Sequence, residues 1–142
     1  MKNRGNTLIE LLIFISFIMA TTILVNTKYV SLLERKKLEK QNLLLISTFK
    51  VKFIECKNQS IYFNFNDKYI KFDDEKLLLA DIYEYESKNK EDKKEFKREI
   101  TKNCNLDKPF TIVTLNNKGK LSEMSFNSIN ALEKPIIEVR YE

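Results

Sequence analysis

Between Arg4 and Lys28 the only ionisable side chain is Glu10, and the intervening residues include the run LLIFISFIMATTILV. As a helix rising ~1.5 Å per residue, residues 5–27 would span about 34 Å, enough to cross a hydrocarbon layer of about 30 Å. Lys2 and Arg4 precede the run, and positive charge holds a flank on the cytoplasmic side. These features predict a single-pass helix over 6–27, with the N-terminus in the cytoplasm and the C-terminus outside. The chain has 142 residues, 43% of them hydrophobic and 32% charged. Much of that apolar content is committed to the span, so a soluble core must come from roughly 100 residues, a small domain.

Glu10 is the anomaly, because an unpaired carboxylate in a lipid-facing helix is costly. A secretory signal peptide would use the small residues Ala20-Thr21-Thr22 for cleavage, but Glu10 interrupts the start of its apolar core. A plain membrane anchor explains the run and its basic flank and leaves Glu10 without a role.

A third reading uses every residue of the stretch RGNTLIELL. A short basic leader, Gly5, then Thr7-Leu8-Ile9-Glu10 heading an uninterrupted apolar helix resembles the class III signal of type IV prepilins and pseudopilins. The resemblance implies a leader of residues 1–5 and cleavage between Gly5 and Asn6 by a membrane-embedded prepilin peptidase. It also implies N-methylation of Asn6, and Glu10 as the assembly carboxylate that meets the terminal amine of a neighbouring subunit. Implied partners are other pilin subunits, the peptidase, a platform protein and an assembly ATPase. The implied location is the cytoplasmic membrane, then an extracellular filament. Asn6 stands where the family usually has phenylalanine, and the helix lacks the proline common in major pilins. The second departure points to a minor pilin or pseudopilin, of a motility pilus, a competence DNA-uptake system or a type II secretion system. Nucleic acid would be a partner only in a competence system. The reading from a different class is a membrane-anchored binding module in which Glu10 is incidental.

After Gly5 no Gly or Pro occurs before Pro109. Residues 28–57 therefore continue the helix, with Leu43, Ile46, Phe49 and Phe53 spaced as one apolar face. ERKKLEK (34–40) reads as a solvated helix face. The remainder, 58–142, is predicted to be an antiparallel sheet of five or six strands. SIYFNF and YIKF form a hairpin about Asn66-Asp67-Lys68, and 77–86 is one strand in which Ile82 disturbs the alternation. Residues 87–99 are either a short helix, with Glu91/Lys94 and Glu95/Arg98 paired and Phe96 and Ile100 inward, or a loop. PFTIVTL and KLSEMSF make a hairpin closed at Gly119, and PIIEVRY a last strand with Pro135 at its start. One long helix on a small antiparallel sheet is an α+β class, the lollipop outline that the pilin resemblance also implies.

Nothing in the residues names an enzyme. There is no His, the commonest general base and metal ligand. The net charge of +5 is spread among mixed signs, without the basic block that tracks a phosphate backbone. Asp73-Asp74-Glu75 lacks the spaced pattern of a calcium loop and reads as a solvated turn. Tyr62, Tyr69, Tyr83 and Tyr85 read as sheet packing. No cofactor and no metal is expected. Cys56 and Cys104 lack CxxC spacing, so two outcomes stay open: a disulfide, if the domain lies outside the membrane, or two buried thiols.

Overall fold

A computed structural model describes residues 4–73, 75–89, 93–128 and 135–142. The chain is α+β: one long helix followed by two antiparallel sheets. α1 spans Arg4–Glu55. The strands are β1 (Gln59–Asn64), β2 (Tyr69–Phe72), β3 (Lys76–Leu78), β4 (Glu84–Ser87), β5 (Glu95–Ile100), β6 (Phe110–Asn116), β7 (Gly119–Asn127) and β8 (Ile136–Tyr141). The first sheet has the order β3-β2-β1-β5 and the second β4-β6-β7-β8. The chain divides into two compact units, Met1–Lys40 and Gln41–Glu142.

In the first unit the described residues are helical and the apolar run is exposed. α1 is the one helix, among the described residues, long and apolar enough to cross a membrane. Its exposed charges beyond that run behave as the sequence suggests. Glu39 takes Arg35 at 3.3 Å and Lys36 at 3.2 Å, and the hydrogen bond from Lys36 holds its carboxyl below the usual range.

In the second unit the end of α1 supplies Phe49, fully buried among five other phenylalanine rings. Phe126 of β7 lies 4.5 Å away between centroids, Phe72 of β2 5.5 Å and Phe110 of β6 5.9 Å. Phe53 and Phe63 stand at 6.0 and 6.1 Å. Phe63 of β1 stacks on Phe96 of β5 at 4.3 Å and meets Phe110 at 4.9 Å, so the core runs from one sheet into the other. Such ring pairs contribute about 0.5–1.5 kcal/mol each beyond the area they bury.

The buried face of α1 differs from the expected stripe. Asn42, Leu45, Phe49, Lys52 and Phe53 are buried, Ile46 is half-buried and Leu43 is exposed. At about 100° per residue, Leu43 sits roughly 120° around the helix from Phe49, whereas Leu45 sits roughly 40° away. Successive steps of three drift off a face that steps of three and four hold. Asn42 fixes the same face with a hydrogen bond from Nδ2 to Ser122 Oγ of β7 (3.2 Å).

Three strand expectations are also corrected. Residues 77–86 are not one strand: β3 and β4 belong to different sheets, separated by a turn in which Tyr83 N–H reaches the Ala80 carbonyl (3.3 Å). Ile82, out of phase in the sequence, is exposed in that turn. Residues 95–100 form no helix but β5, with Phe96, Arg98 and Ile100 alternately buried; Glu91 lies outside the described residues. The strand count is eight among the described residues. Elsewhere the register follows the pattern. The β1–β2 loop is one residue longer than the expected 66–68: it covers 65–68, with Lys68 at φ 53°, and pairs Asn64 with Tyr69. β6 and β7 turn at Asn117-Lys118, where the Asn116 side chain accepts from Lys118 N–H (2.9 Å). Gly119 follows at φ 127°, a conformation that suits a residue without Cβ. A register shift between Thr114 and Leu115 absorbs the extra residue of β7.

Phe49→Ala is expected to destabilise the domain by about 3–5 kcal/mol, and Leu43→Ala, at an exposed helix site, by less than about 0.5 kcal/mol. Denaturant unfolding of the two variants checks the assignment of the face.

Candidate functional site

The N-terminal end of α1 carries the residues singled out from the sequence. Gly5 and Asn6 lie in its helical backbone, and Glu10 follows at an exposed position. Around Glu10 the side chains are apolar and uncovered: Leu8, Ile9, Leu11 and Leu12 are each more than half exposed. In water that surface would be unfavourable, at about 25 cal/mol per Å² of apolar area. It requires either lipid or other helices.

The polar groups of the run divide into two kinds. Ser16 Oγ donates to the Leu12 carbonyl (2.8 Å), Thr21 Oγ1 to Phe17 (3.0 Å), Thr22 Oγ1 to Ile18 (2.8 Å) and Thr27 Oγ1 to Leu24 (3.0 Å). Each hydroxyl is thus satisfied within the helix, as an apolar environment demands. A carboxylate has no proton to give to a carbonyl, so the same device fails for Glu10. Among the described residues none is hydrogen-bonded to Glu10 or ion-paired with it. Among the described residues, Glu10 is thus the one charge of the apolar run, and it has no partner there.

The other sequence candidates fall in the second unit. Cys56 and Cys104 are joined as a disulfide, their Cα atoms 4.5 Å apart and 48 residues apart in sequence. Cys56 is the first residue past α1 and stands at φ 52°, the left-handed stop that helices commonly use. Cys104 also has a left-handed backbone, at φ 62°. A side chain with Cβ in this region costs roughly 1–2 kcal/mol, so the bridge holds two turns that neither residue prefers. It ties the end of α1 to the segment that closes against β5, where Thr101 N–H donates to the Asn105 carbonyl (2.7 Å) and Ile100 bridges Leu106.

The acidic turn has a structural task. Asp73 accepts from Ser60 N–H (3.1 Å), and Glu75 reaches the ammonium of Lys52 at 3.1 Å; Asp74 lies outside the described residues. Lys52 is 4% exposed, with Glu55 at 3.7 Å and the Phe72 ring centroid at 5.4 Å. Its burial was missed in the sequence. The available signal was its place one turn from Phe49 on the same face, with an acidic trio elsewhere to receive the charge. Of the four tyrosines, Tyr85 is fully buried, and burial pushes its phenol well above the usual range. Tyr83 is also buried, while Tyr62 and Tyr69 face out on the first sheet, Tyr62 donating to Glu95 (3.0 Å) and Tyr69 lying 3.9 Å beneath Lys76 Nζ. Among the described residues no three His, Cys, Asp or Glu side chains gather as a metal site.

Comparison of the chain with protein-family models, with curated proteins and with solved structures returns no match.

Loss of the bridge in Cys56→Ser/Cys104→Ser is expected to lower stability by about 4 kcal/mol, the chain entropy of a loop of this length. Thiol titration of the unfolded native protein should find no free thiol before reductant and two after it.

Proposed function

We propose that this chain is a non-catalytic structural subunit, a minor pilin or pseudopilin, of a type IV pilus-like filament. The observation that carries the reading is Glu10: an exposed carboxylate in an apolar helix, without a partner among the described residues, five residues after the glycine of a prepilin-like signal. In this reading the precursor waits in the cytoplasmic membrane with Lys2 and Arg4 inside. Prepilin peptidase cuts between Gly5 and Asn6, and the new amine is methylated. Cleavage creates the one group in the run that complements Glu10, a cationic amine at the same end of the helix. Within one chain that amine and the carboxylate are separated by about one helical turn, roughly 6 Å of rise. A neighbouring copy, displaced along the axis by about that rise, brings the two level.

Pairing removes the cost of an isolated charge in an apolar setting, and it does so only in one axial register. Glu10 then acts as an assembly selector and cleavage as its switch. The hydroxyls cannot take this role, because they carry no charge to offset that of the amine. The platform protein and ATPase of such systems would extract the processed subunit into an extracellular filament.

Two substitutions separate processing from assembly. Gly5→Ala, expressed with an active prepilin peptidase, should retain residues 1–5, whereas the wild-type chain should begin at methylated Asn6 by intact-mass spectrometry. A wild-type chain that keeps its leader overturns the reading. Glu10→Ala should still be cut, while its incorporation into filaments falls about tenfold or more, the equivalent of about 1.4 kcal/mol. Unchanged incorporation would mark the chain as a plain anchored module.

A further inference from the structure

Each sheet ends in two edges, and three of the four are short or covered. β3 has three residues. β5 has Asp107 beside it, whose N–H donates to the Glu99 carbonyl (3.0 Å) and whose carboxylate accepts from Glu99 N–H (2.9 Å). β4 is met by Lys93 and Lys94: Ser87 N–H donates to the Lys93 carbonyl (2.9 Å), and Lys94 Nζ donates to the Tyr85 carbonyl (3.1 Å). β8 differs. It is six residues long, it is the outer strand of the second sheet, and among the described residues no strand lies beyond it. An open edge of this length is a template for another strand.

The backbone of β8 is already divided between its two sides. Glu142 N–H donates to the Leu121 carbonyl of β7 (3.1 Å), and Tyr141 lies opposite Ser122. In an antiparallel ladder polar groups alternate in direction. Ile136, Glu138 and Arg140 therefore turn theirs to β7, and Ile137, Val139 and Tyr141 turn theirs to the open edge. The side chains of that second set share the face of Phe126, Met124 and Ser122, all buried, yet Ile137 and Val139 are only half-buried and Tyr141 is exposed. On the other face Arg140 approaches Glu138 of its own strand at 3.9 Å, both largely exposed.

We propose that β8 is a homotypic docking edge, pairing antiparallel with β8 of a second copy about a two-fold axis at Val139. Of the registers centred on residues 138, 139 and 140, the one at Val139 sets opposite charges face to face. Centred on Val139, Glu138 faces Arg140 of the other copy, Ile137 faces Tyr141, and Val139 faces itself. Every outward N–H meets an outward carbonyl, and the half-covered apolar row closes across the axis. Moving the centre to residue 138 sets Glu138 against Glu138; moving it to residue 140 sets Arg140 against Arg140. Like charges directly opposite are destabilising, and opposite charges stabilise a cross-strand pair. Centres between residues place outward groups against inward ones and break the ladder.

The axis stands normal to the sheet, so segments lying along β7 run in opposite senses in the two copies. α1 is one of them: Asn42 meets Ser122, and Phe49 meets Phe126. Residues 42–49 of α1 therefore run in opposite senses in the two copies. It does not use the apolar N-terminal run and does not depend on the filament reading.

The test uses the full chain in detergent. Val139→Cys should form a disulfide-linked dimer on oxidation, while Ile136→Cys, distant from its own counterpart in this register, should stay monomeric. In the Val139→Cys background, Glu138→Arg or Arg140→Glu should each lower dimer yield about fivefold or more, and the two together should restore it. Light scattering of Glu138→Arg, Arg140→Glu and the double exchange, without any added cysteine, should follow the same order. A folded Val139→Cys chain that does not cross-link overturns the proposal, and so does a double exchange that fails to recover.

Discussion

Phe49 meets rings from both sheets, and most of the second unit is arranged around that meeting. Neither sheet could stand alone: one face of each is lined with phenylalanine or isoleucine that must be covered. The end of α1 supplies that cover. Because Phe49, Leu45 and Phe53 come from one rigid element, the sheets are set against a common surface. Asn42 and Lys52 mark the borders of that surface with a hydrogen bond and an ion pair that an apolar residue could not make. Both are polar groups taken out of water, and each meets a partner supplied by a strand or its loop, Ser122 for Asn42 and Glu75 for Lys52, which makes the position of the helix specific as well as favourable.

The fold class and the later hairpin could be read from the sequence because each rests on a local rule. An absence of Gly and Pro over a long stretch leaves a helix free to continue, and Asn117-Lys118-Gly119 between alternating segments fixes a turn. What failed depended on the partner of a segment. Leu43 and Leu45 are equally apolar, and only the distance around the helix from Phe49 separates them. Residues 95–100 alternate strictly, but their charge spacing also suits a helix; pairing with all six residues of β1 decides the matter. The split of 77–86 needed the knowledge that two sheets exist. Lys52 is the sharpest miss, since a lysine on an apolar face reads as an interruption until Glu75 is seen beside it.

The candidate site had the opposite character. Gly5, Asn6 and Glu10 were all visible as residues, and the structure adds a comparison among the polar groups of the run. Ser16, Thr21, Thr22 and Thr27 lie in the apolar segment with Glu10, and each closes a hydrogen bond to its own helix. A helix that merely spans lipid can accept such hydroxyls at little cost. It cannot accept a carboxylate on the same terms, because the free groups of the helix interior are carbonyl oxygens, which repel it. Among the described residues no donor meets that charge, which sets Glu10 apart from the hydroxyls of the same helix.

The two surfaces argued to reach beyond the chain obey different physics. Around Glu10 a single charge in an apolar field gives strong selectivity for axial position, since the energy of an unmatched charge rises steeply when water is absent. Along β8 the selectivity is distributed over backbone groups and one exchanged pair of charges in contact with water, where each term is small. The first suits a contact made once and held by many neighbours in a low-dielectric setting. The second suits a contact that forms where copies are concentrated and parts when they disperse. Among the described residues one long edge stays open while the others are hooked or short, so the contact proposed there leaves the apolar helix free.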